Sequence, residues 1–365
     1  AGSTTPSRPC HRLPAVALFD QLADLPLAVE SYALEGLERD VSSEFTRLST
    51  VIHLYGGGEE GVGEDVVYDA LDHIALQDAG PVHDLTGPRT LGEFCELIHS
   101  LELFPAPPVR EVSPLYRRWA FESAALDLAL RLAGTSLHEH LGIVPQPVTF
   151  VVSLRLGEPP TIEPVRRRLA SYPTLRFKLD PVSGWTEELI GDLVATGAVD
   201  SVDLKGLYKG SVVDQGADPL LYERVARAFP EAWIEDPLLT PETEAVLAGD
   251  HDRITWDALI HGIADIEALP FAPRMVNVKP SRVGGLRELC ETYDYCAEHG
   301  IGMYGGGQFE LGPGRGHIQY LASLFHPHTP NDVAPGGYND PDPVAGLPVS
   351  PLPPVPSAIG FRWGT

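Results

Sequence analysis

Five short apolar segments in the middle of the chain each end on a charged residue. They end at Lys178, Asp203, Glu235, Asp257 and Lys279. A parallel strand that is buried on both faces is typically a continuous apolar run, and the spacing between these segments leaves room for a covering helix and two loops. In a barrel of such units the C-terminal strand ends converge on one mouth, which carries the active site. The pattern therefore predicts three carboxylates and two lysines at one barrel mouth.

The three acids come from three consecutive strands. Asp203, Glu235 and Asp257 together form an oxygen-rich group, and oxygen ligands are what Mg²⁺ (or Mn²⁺) prefers. The alternative for any one of them is that a strand-end acid caps the helix that follows. Because all three occur in consecutive units between two lysines, the metal site is the favoured interpretation.

The two lysines could carry acid–base chemistry. The ordinary pKa of lysine is about 10.4, but burial, a neighbouring cation or a bound metal lowers it enough for lysine to accept a proton. A proton α to a carboxylate is weakly acidic, so the enediolate that forms needs electrostatic stabilisation. Lys178 and Lys279 on opposite sides would place one base on each face of the substrate carbon. The alternative for a single lysine is a solvated strand end.

Three motifs resemble the enolase superfamily, and within it the muconate-lactonizing-enzyme-like branch. Arg176-Phe177-Lys178 is similar to its second-strand lysine motif, and Trp233-Ile234-Glu235-Asp236-Pro237 is similar to its fourth-strand ligand segment. The most specific match is Asn277-Val278-Lys279-Pro280-Ser281-Arg282-Val283-Gly284-Gly285, which resembles the sixth-strand base motif. The resemblance implies an α/β fold: a modified TIM barrel, (β/α)7β, with an N-terminal α+β capping domain.

The resemblance also implies the chemistry. Lys178 and Lys279 would be the catalytic base and acid, and Asp203, Glu235 and Asp257 would bind Mg²⁺ or Mn²⁺. The implied reaction is abstraction of a proton α to a carboxylate, in a racemase, epimerase or cycloisomerase of a small carboxylate substrate. The alternatives are an o-succinylbenzoate-synthase-like dehydratase and an inactive metabolite-binding barrel. A glycoside hydrolase ranks last, because it has no role for two strand-end lysines.

Two positions depart from the family pattern. Lys205 stands two residues after Asp203, where the family often has asparagine, and Ala258 follows Asp257, where an acidic residue is common. Lys205 should share a face with Asp203 and could compete with the metal or bind a substrate carboxylate. These departures are the features that favour the inactive alternative.

Further weak candidates for substrate contact lie near the strand ends. Arg176 precedes Lys178 by two residues, so alternation places both side chains on one face. Gly305-Gly306-Gly307 at the predicted seventh strand end is followed by Gln308 and Glu310. A glycine-rich loop before a helix can bind an anion, although glycines that only form a turn are the alternative.

The chain divides into four predicted segments. They are an N-terminal tail (1–24), an α+β capping domain (25–135), the modified barrel (136–335) and a C-terminal segment that packs back on the capping domain (336–365). The capping domain should contain an antiparallel meander with a polar linker at about 38–47, and a helix from about Phe121 that ends before Gly134.

Composition limits the possible partners. The net charge of −25 argues against nucleic acid and anionic membranes, since both need a basic surface. The chain has no long apolar run, its N-terminus resembles no targeting signal, and its four cysteines contain no CxxC pair. We therefore expect a cytoplasmic enzyme, and by resemblance a homo-oligomer.

Overall fold

The computed structural model describes residues 16–41, 45–209, 214–340 and 342–364. The strands are β1 (Pro26–Val29), β2 (Ser31–Val41), β3 (Phe45–Gly56), β4 (Glu59–Asp65), β5 (Gly87–Thr90), β6 (Val152–Leu154), β7 (Phe177–Leu179), β8 (Val199–Asp203), β9 (Trp233–Glu235), β10 (Ile254–Thr255), β11 (Met275–Asn277) and β12 (Gly302–Tyr304). The α-helices are α1 (Leu18–Ala23), α2 (Ala70–Ala79), α3 (Leu91–Ser100), α4 (Ser113–Leu132), α5 (Leu137–Leu141), α6 (Glu163–Ser171), α7 (Glu187–Thr196), α8 (Pro219–Ala228), α9 (Pro241–Leu247), α10 (Ile263–Glu267), α11 (Pro280–Val283), α12 (Leu286–Glu298) and α13 (Pro313–Phe325).

The strands from β6 onward form a ring of eight parallel positions. Strands β6 to β10 make one parallel sheet, and β11 pairs in parallel with β12. A parallel bridge from Trp256 to Val276 joins these two parts. Two further parallel bridges, Gly306 to Asp332 and Phe150 to Asn331, make residues 331–332 the eighth position and close the ring. Because a helix follows each of the first seven strands, the predicted (β/α)7β barrel is confirmed.

The N-terminal part contains the predicted antiparallel meander, in the order β2-β3-β4. The predicted polar linker at 38–47 is wrong, because the pairing of β2 with β3 continues to Arg39 with Arg47 and to Val41 with Phe45. Most side chains at the far end of β2 are exposed. Main-chain ladder bonds do not require an apolar face, so the hairpin extends beyond the apolar pattern. Residues 42–44 lie outside the described residues.

Helix α4 connects the meander to the barrel. It begins earlier than predicted and ends before Gly134, as predicted, with Gly134 at φ 66°. Its approach to β4 depends on two glycines, since a Cβ at Gly61 or Gly63 would lie 2.2 or 2.0 Å from a carbonyl oxygen of the helix. At the barrel, the Leu286 N–H donates to the α4 carboxylate of Glu122 over 2.6 Å. The helix therefore fixes the meander next to the segment 277–285, which contains the predicted sixth-strand base motif.

The segment around Arg362 packs against this N-terminal part, and helix α1 packs against the barrel helix α12. The Arg362 guanidinium donates to the α4 carboxylate of Asp127 over 2.8 Å and to the Glu60 carbonyl over 2.6 Å. Helix α1 lies inside the segment predicted as a tail, and its Leu18 N–H donates to Asp294 of α12. The exact division into four segments stays a prediction. Within the described residues, no helix has both the length and the apolar character that crossing a membrane requires.

Candidate active site at the barrel mouth

The ends of β7, β8 and β9 bring the first predicted residues together. The parallel register pairs Asp203 with Glu235 and Lys178 with Ser201. Paired residues of neighbouring parallel strands point the same way, so both carboxylates and the lysine enter the barrel interior. All three side chains are buried. A buried charge is costly unless it is paired, and here each is paired with another.

Lys178 is surrounded by carboxylates. Its Nζ donates to Glu235 Oε1 and lies 3.1 Å from Asp203 Oδ2 and 3.6 Å from Asp332 Oδ2. Burial lowers the pKa of Lys178, but attraction by Glu235, Asp203 and Asp332 outweighs burial and raises that pKa well above its ordinary value. In these surroundings Lys178 is an ammonium group, which can donate a proton.

Lys279 lies in a different environment. Its Nζ donates to Asp257 Oδ2 over 2.7 Å, and the Arg282 guanidinium donates to Asp257 Oδ1. The Tyr208 hydroxyl also donates to Asp257 Oδ2, over 2.8 Å. Burial lowers the pKa of Lys279, and repulsion by Arg282 adds to this against the opposing attraction of Asp257. Lys279 is therefore better prepared than Lys178 to accept a proton.

Lys205, the first departure from the family pattern, is also part of the cluster. Its ammonium bonds to Asp203 Oδ2, and its main-chain N–H donates to Asp203 Oδ1 over 3.1 Å. The backbone at Lys205 has a φ of 52°, which is uncommon for a residue other than glycine. Asp203 Oδ2 thus faces two ammonium groups, those of Lys178 and Lys205.

Sequence reasoning missed Asp236 as a member of the site. Carboxylate oxygens of Asp203, Glu235 and Asp236 lie within 4.8 Å of one another, in a group that could hold a metal ion. Strand alternation predicts that Asp236 points away from its neighbour Glu235. The structure instead gives Asp236 a φ of 49°, which no spacing pattern in the sequence indicates.

The position of Asp257 differs from the expectation for a third metal ligand. It is outside the group of Asp203, Glu235 and Asp236, because its oxygens face Lys279, Arg282 and Tyr208. The strand end that carries Asp257 is nevertheless supported by a neighbouring carboxylate. Asp236 accepts the N–H groups of Asp257 and Ala258, each over 2.8 Å, and so fixes this strand end. The role of Asp257 as a ligand stays a prediction.

Four other contacting residues were missed, and only Arg282 had a signal in the sequence. Tyr208, whose hydroxyl donates to Asp257 Oδ2, had none. Arg282 stands in the segment 277–285, three residues after Lys279, where a helical turn brings it back to the strand end. The Tyr304 hydroxyl donates to Glu235 Oε2 over 2.7 Å, and Asp332 reaches Lys178 from the eighth position of the ring. A tyrosine or aspartate at a strand end has no distinctive spacing, so neither could be found.

The weak substrate candidates lie farther from the cluster. Arg176 bonds to Asp200 and to the Gly197 carbonyl, where the register between β7 and β8 is irregular. It is not brought together with Lys178. Gln308 accepts from the Tyr68 hydroxyl, and Glu310 accepts the Gln308 N–H over 2.6 Å and pairs with Arg315 over 3.0 Å. Substrate contact by these residues stays a prediction.

The donor set fits a divalent cation. Asp203, Glu235 and Asp236 are buried carboxylates with converging oxygens, and a hard cation with two positive charges prefers oxygen ligands of this kind. Asp203 and Glu235 are bonded to lysine ammonium groups in this arrangement. A divalent cation held by these carboxylates would therefore take the place of a lysine ammonium group.

Two family models match the chain, both described as domains of unknown function. The DUF8230 C-terminal domain matches residues 144–340, and the DUF8230 N-terminal domain matches residues 20–140. An o-succinylbenzoate synthase from Geobacillus kaustophilus is 28% identical, over 65% of this chain and 68% of that protein. An N-succinylamino acid racemase from Amycolatopsis is 31% identical, over 60% of this chain and 58% of that protein.

The solved structures agree with these relatives. A dipeptide epimerase from Methylococcus capsulatus, complexed with Mg and the dipeptide L-Arg-D-Lys, superposes with a TM-score of 0.64 at 19% identity and covers 86% of this chain and 92% of that one. Another similar structure is described as a member of the enolase superfamily. The named relatives are enzymes of the predicted class. The chain therefore belongs to the DUF8230 family, and its relatives and its fold confirm the resemblance to the enolase superfamily.

Proposed function

We propose that this chain catalyses divalent-metal-dependent abstraction of the proton α to a carboxylate, through an enediolate, as a racemase, epimerase or cycloisomerase of a small carboxylate. One observation carries the proposal. Lys178 and Lys279 belong to the second and sixth of eight positions in the barrel ring. Positions four steps apart in a ring of eight are opposite each other, so the two ammonium-bearing side chains approach the mouth from opposite sides.

The opposed lysines give the two faces of a substrate carbon separate proton carriers. Lys279, whose pKa is lowered by burial, would remove the α-proton on one face. Lys178, whose pKa is raised by its carboxylate neighbours, would hold a proton that it can return on the other face. In the reverse direction the roles exchange, as racemisation requires.

Asp203, Glu235 and Asp236 would hold Mg²⁺ or Mn²⁺, with Asp257 as the ligand predicted from the sequence. A cation bound there would stabilise the negative charge that develops on the substrate carboxylate. The Mg named in the epimerase complex supports this choice of metal. The residues of this chain supply the orientation: Tyr304 holds Glu235, and Arg282 holds Asp257.

The substrate class follows from the relatives and from the charges of the mouth. Relatives named N-succinylamino acid racemase and o-succinylbenzoate synthase act, by name, on succinylated compounds or form them. Such compounds carry a second carboxylate, for which Lys205 or Arg282 is a suitable partner. We propose N-acylated amino acids as the first substrates to test, and dehydration to o-succinylbenzoate as the alternative reaction.

The experiment is ¹H NMR of the purified protein with Mg²⁺ in D₂O, against a panel of N-acylated amino acids, dipeptides and other small carboxylates. We expect the α-proton signals of both enantiomers to disappear in a reaction that needs Mg²⁺. Lys178→Ala and Lys279→Ala should each lose the exchange of one enantiomer and the interconversion of the two. A hydroxylated cyclohexadiene carboxylate is included in the panel, and loss of its α-proton and hydroxyl group as water, with formation of an aromatic product, would instead favour the synthase. No exchange across the panel, together with no Mg²⁺ binding by calorimetry, would contradict the proposal and favour an inactive barrel. The homo-oligomer and the cytoplasmic location stay predictions.

A further inference from the structure

We infer that Lys205 is a built-in counter-ion of Asp203 that yields to the divalent cation and moves to Asp180 when the cation binds. The inference rests on the proposed function, because it concerns how the cation enters that site. It adds a role for Asp180, which the sequence pattern did not select. The role is positional: Asp180 receives the displaced ammonium group and touches neither cation nor substrate.

Lys205 occupies a place beside Asp203, at the candidate cation site. Its side chain is 13% exposed and bonds to Asp203 Oδ2, the same oxygen that lies 3.1 Å from Lys178 Nζ. A cation bound to Asp203 and Glu235 would approach this oxygen too. Like charges repel strongly at short range in a buried site, and Asp203 Oδ2 already faces the ammonium groups of Lys178 and Lys205. A divalent cation at these carboxylates would therefore displace one of the two.

The orientation of Asp203 does not depend on the ammonium group of Lys205. Its other oxygen, Oδ1, accepts the main-chain N–H of Lys205 over 3.1 Å. This bond does not involve the lysine side chain, so it persists when the ammonium group leaves. Asp203 then keeps Oδ2 directed at the site without any change in the backbone.

Asp180 is the residue to which the displaced ammonium group of Lys205 would move. Asp180 is 7% exposed, and its Oδ1 is buried and accepts no hydrogen bond from any residue in the described part of the chain. That oxygen lies 3.9 Å from Lys205 Nζ. A shift of about 1 Å would bring the two to hydrogen-bonding distance. An unpartnered buried carboxylate oxygen is costly, so the move satisfies a group that the other position leaves unpaired.

Lys178 is not the ammonium group that moves, because it has more carboxylate contacts than Lys205. Lys178 Nζ contacts three carboxylates at once, those of Glu235, Asp203 and Asp332. Even if the cation took both Asp203 and Glu235, the contact of Lys178 with Asp332 would remain. Lys205 has a single short contact and a second acceptor within reach, so it is the ammonium group that exchanges with the cation.

The test is a double-mutant cycle read by Mg²⁺ binding in isothermal titration calorimetry, without substrate. The four proteins are the wild type, Lys205→Met, Asp180→Asn and the double variant. Because a hydrogen bond between charged groups must be broken, we expect Lys205→Met to bind Mg²⁺ roughly 10- to 100-fold more tightly. Asp180→Asn should bind it about 10-fold more weakly, because the displaced ammonium group has no partner.

The double variant separates this mechanism from a general effect of charge. Once Lys205 is absent, Asp180→Asn should change the Mg²⁺ affinity by less than about threefold, since coupling between contacting residues disappears when one is removed. Equal weakening by Asp180→Asn in both backgrounds would overturn the inference. So would a Lys205→Met protein with wild-type affinity. If Lys205→Met does not fold, Lys205→Asn replaces it with the same expectation.

The outcome also distinguishes this inference from the proposed function. If all four proteins bind Mg²⁺ equally while the wild type exchanges α-protons, the exchange of Lys205 is wrong and the function stands. If none of them binds Mg²⁺ and the wild type exchanges no α-proton, both are wrong. Unfolding curves of each variant verify that an affinity change does not reflect loss of the fold.

Discussion

The two lysines at the barrel mouth have opposite electrostatic surroundings. On the side of β7 to β9, Lys178 is in contact with three carboxylates, and its pKa is raised. On the side of β11, Lys279 shares Asp257 with the guanidinium of Arg282, and its pKa is lowered. The same side-chain type is thus prepared as an acid on one side and as a base on the other. The neighbours of each lysine, more than its strand position, decide which role it takes.

The largest expected effect comes from removing either lysine. Lys178→Ala and Lys279→Ala should each lower racemisation by about 10²- to 10⁴-fold, the usual contribution of a general acid or base. If the two sides act on opposite faces, each variant should still exchange the α-proton of one enantiomer with solvent. Exchange measured separately on the two enantiomers in D₂O tests this. Equal loss for both enantiomers in both variants would contradict the division of roles.

The next effect concerns the origin of the low pKa of Lys279. Arg282→Gln removes a cation beside it, so the charged form of Lys279 becomes more favourable and its pKa rises. The fraction of neutral lysine at neutral pH then falls, and we expect activity there to fall about 10-fold for each pKa unit gained. At high pH the difference should narrow. The pH–rate profile is the measurement, and its rising limb should move to higher pH.

A matched control comes from the other side of the mouth. Lys205→Met removes a cation near Lys178 and should leave the Lys279 limb of the profile where it is. A uniform loss of activity at every pH in Arg282→Gln would show that Arg282 acts only through structure.

Two tyrosines allow a comparison of stability across the mouth. Tyr304→Phe removes the hydroxyl that donates to Glu235 Oε2 and should lower the free energy of unfolding by about 1–3 kcal/mol, because a buried acceptor loses its partner. Tyr208→Phe should cost less, since Asp257 Oδ2 keeps its bond to Lys279. Urea unfolding without divalent cations measures both. An equal loss would mean that the two carboxylates are equally dependent on a single hydroxyl.

The smallest effect is expected at Arg176, which is near Lys178 in the sequence but does not contact the carboxylates around it. Its side chain is 39% exposed and pairs with Asp200. Because exposed ion pairs contribute little, Arg176→Ala should lower the free energy of unfolding by only about 0.2–1 kcal/mol. The rate of α-proton exchange should stay close to that of the wild type. A large loss of α-proton exchange with unchanged stability would contradict this prediction and indicate that Arg176 contacts the substrate.

The barrel and the family could be predicted because their signals are local. Apolar strands that end on Lys178, Asp203 and Lys279 are visible at fixed places in the sequence, and parallel strand ends must meet at one mouth. Asp236 could not be found in this way, because a left-handed backbone turns its side chain toward the site. The extent of the β2–β3 hairpin was missed for another reason: main-chain pairing can continue where the side chains give no apolar pattern.

The contacts of the two lysines at the barrel mouth were the hardest to predict. Asp332 reaches Lys178 only because residues 331–332 close the ring, a contact across 154 positions of chain that depends on two single bridges. Likewise, beyond the effect of burial, Arg282 lowers the pKa of Lys279 because both side chains contact Asp257. Relations of this kind depend on three-dimensional closure, so spacing alone does not reveal them.

Lys205, Asp236 and Phe309 have positive φ angles of 52°, 49° and 58°, and all three follow strand ends at the mouth. A left-handed conformation costs such residues roughly 1–2 kcal/mol, and glycine avoids that cost. Directed evolution for thermal tolerance alone should therefore favour replacements at these positions. At Asp236 the gain would come with loss of a carboxylate from the group that could hold a metal ion. Heat-resistant descendants would then be catalytically poorer, and a screen for robustness needs a parallel screen for turnover.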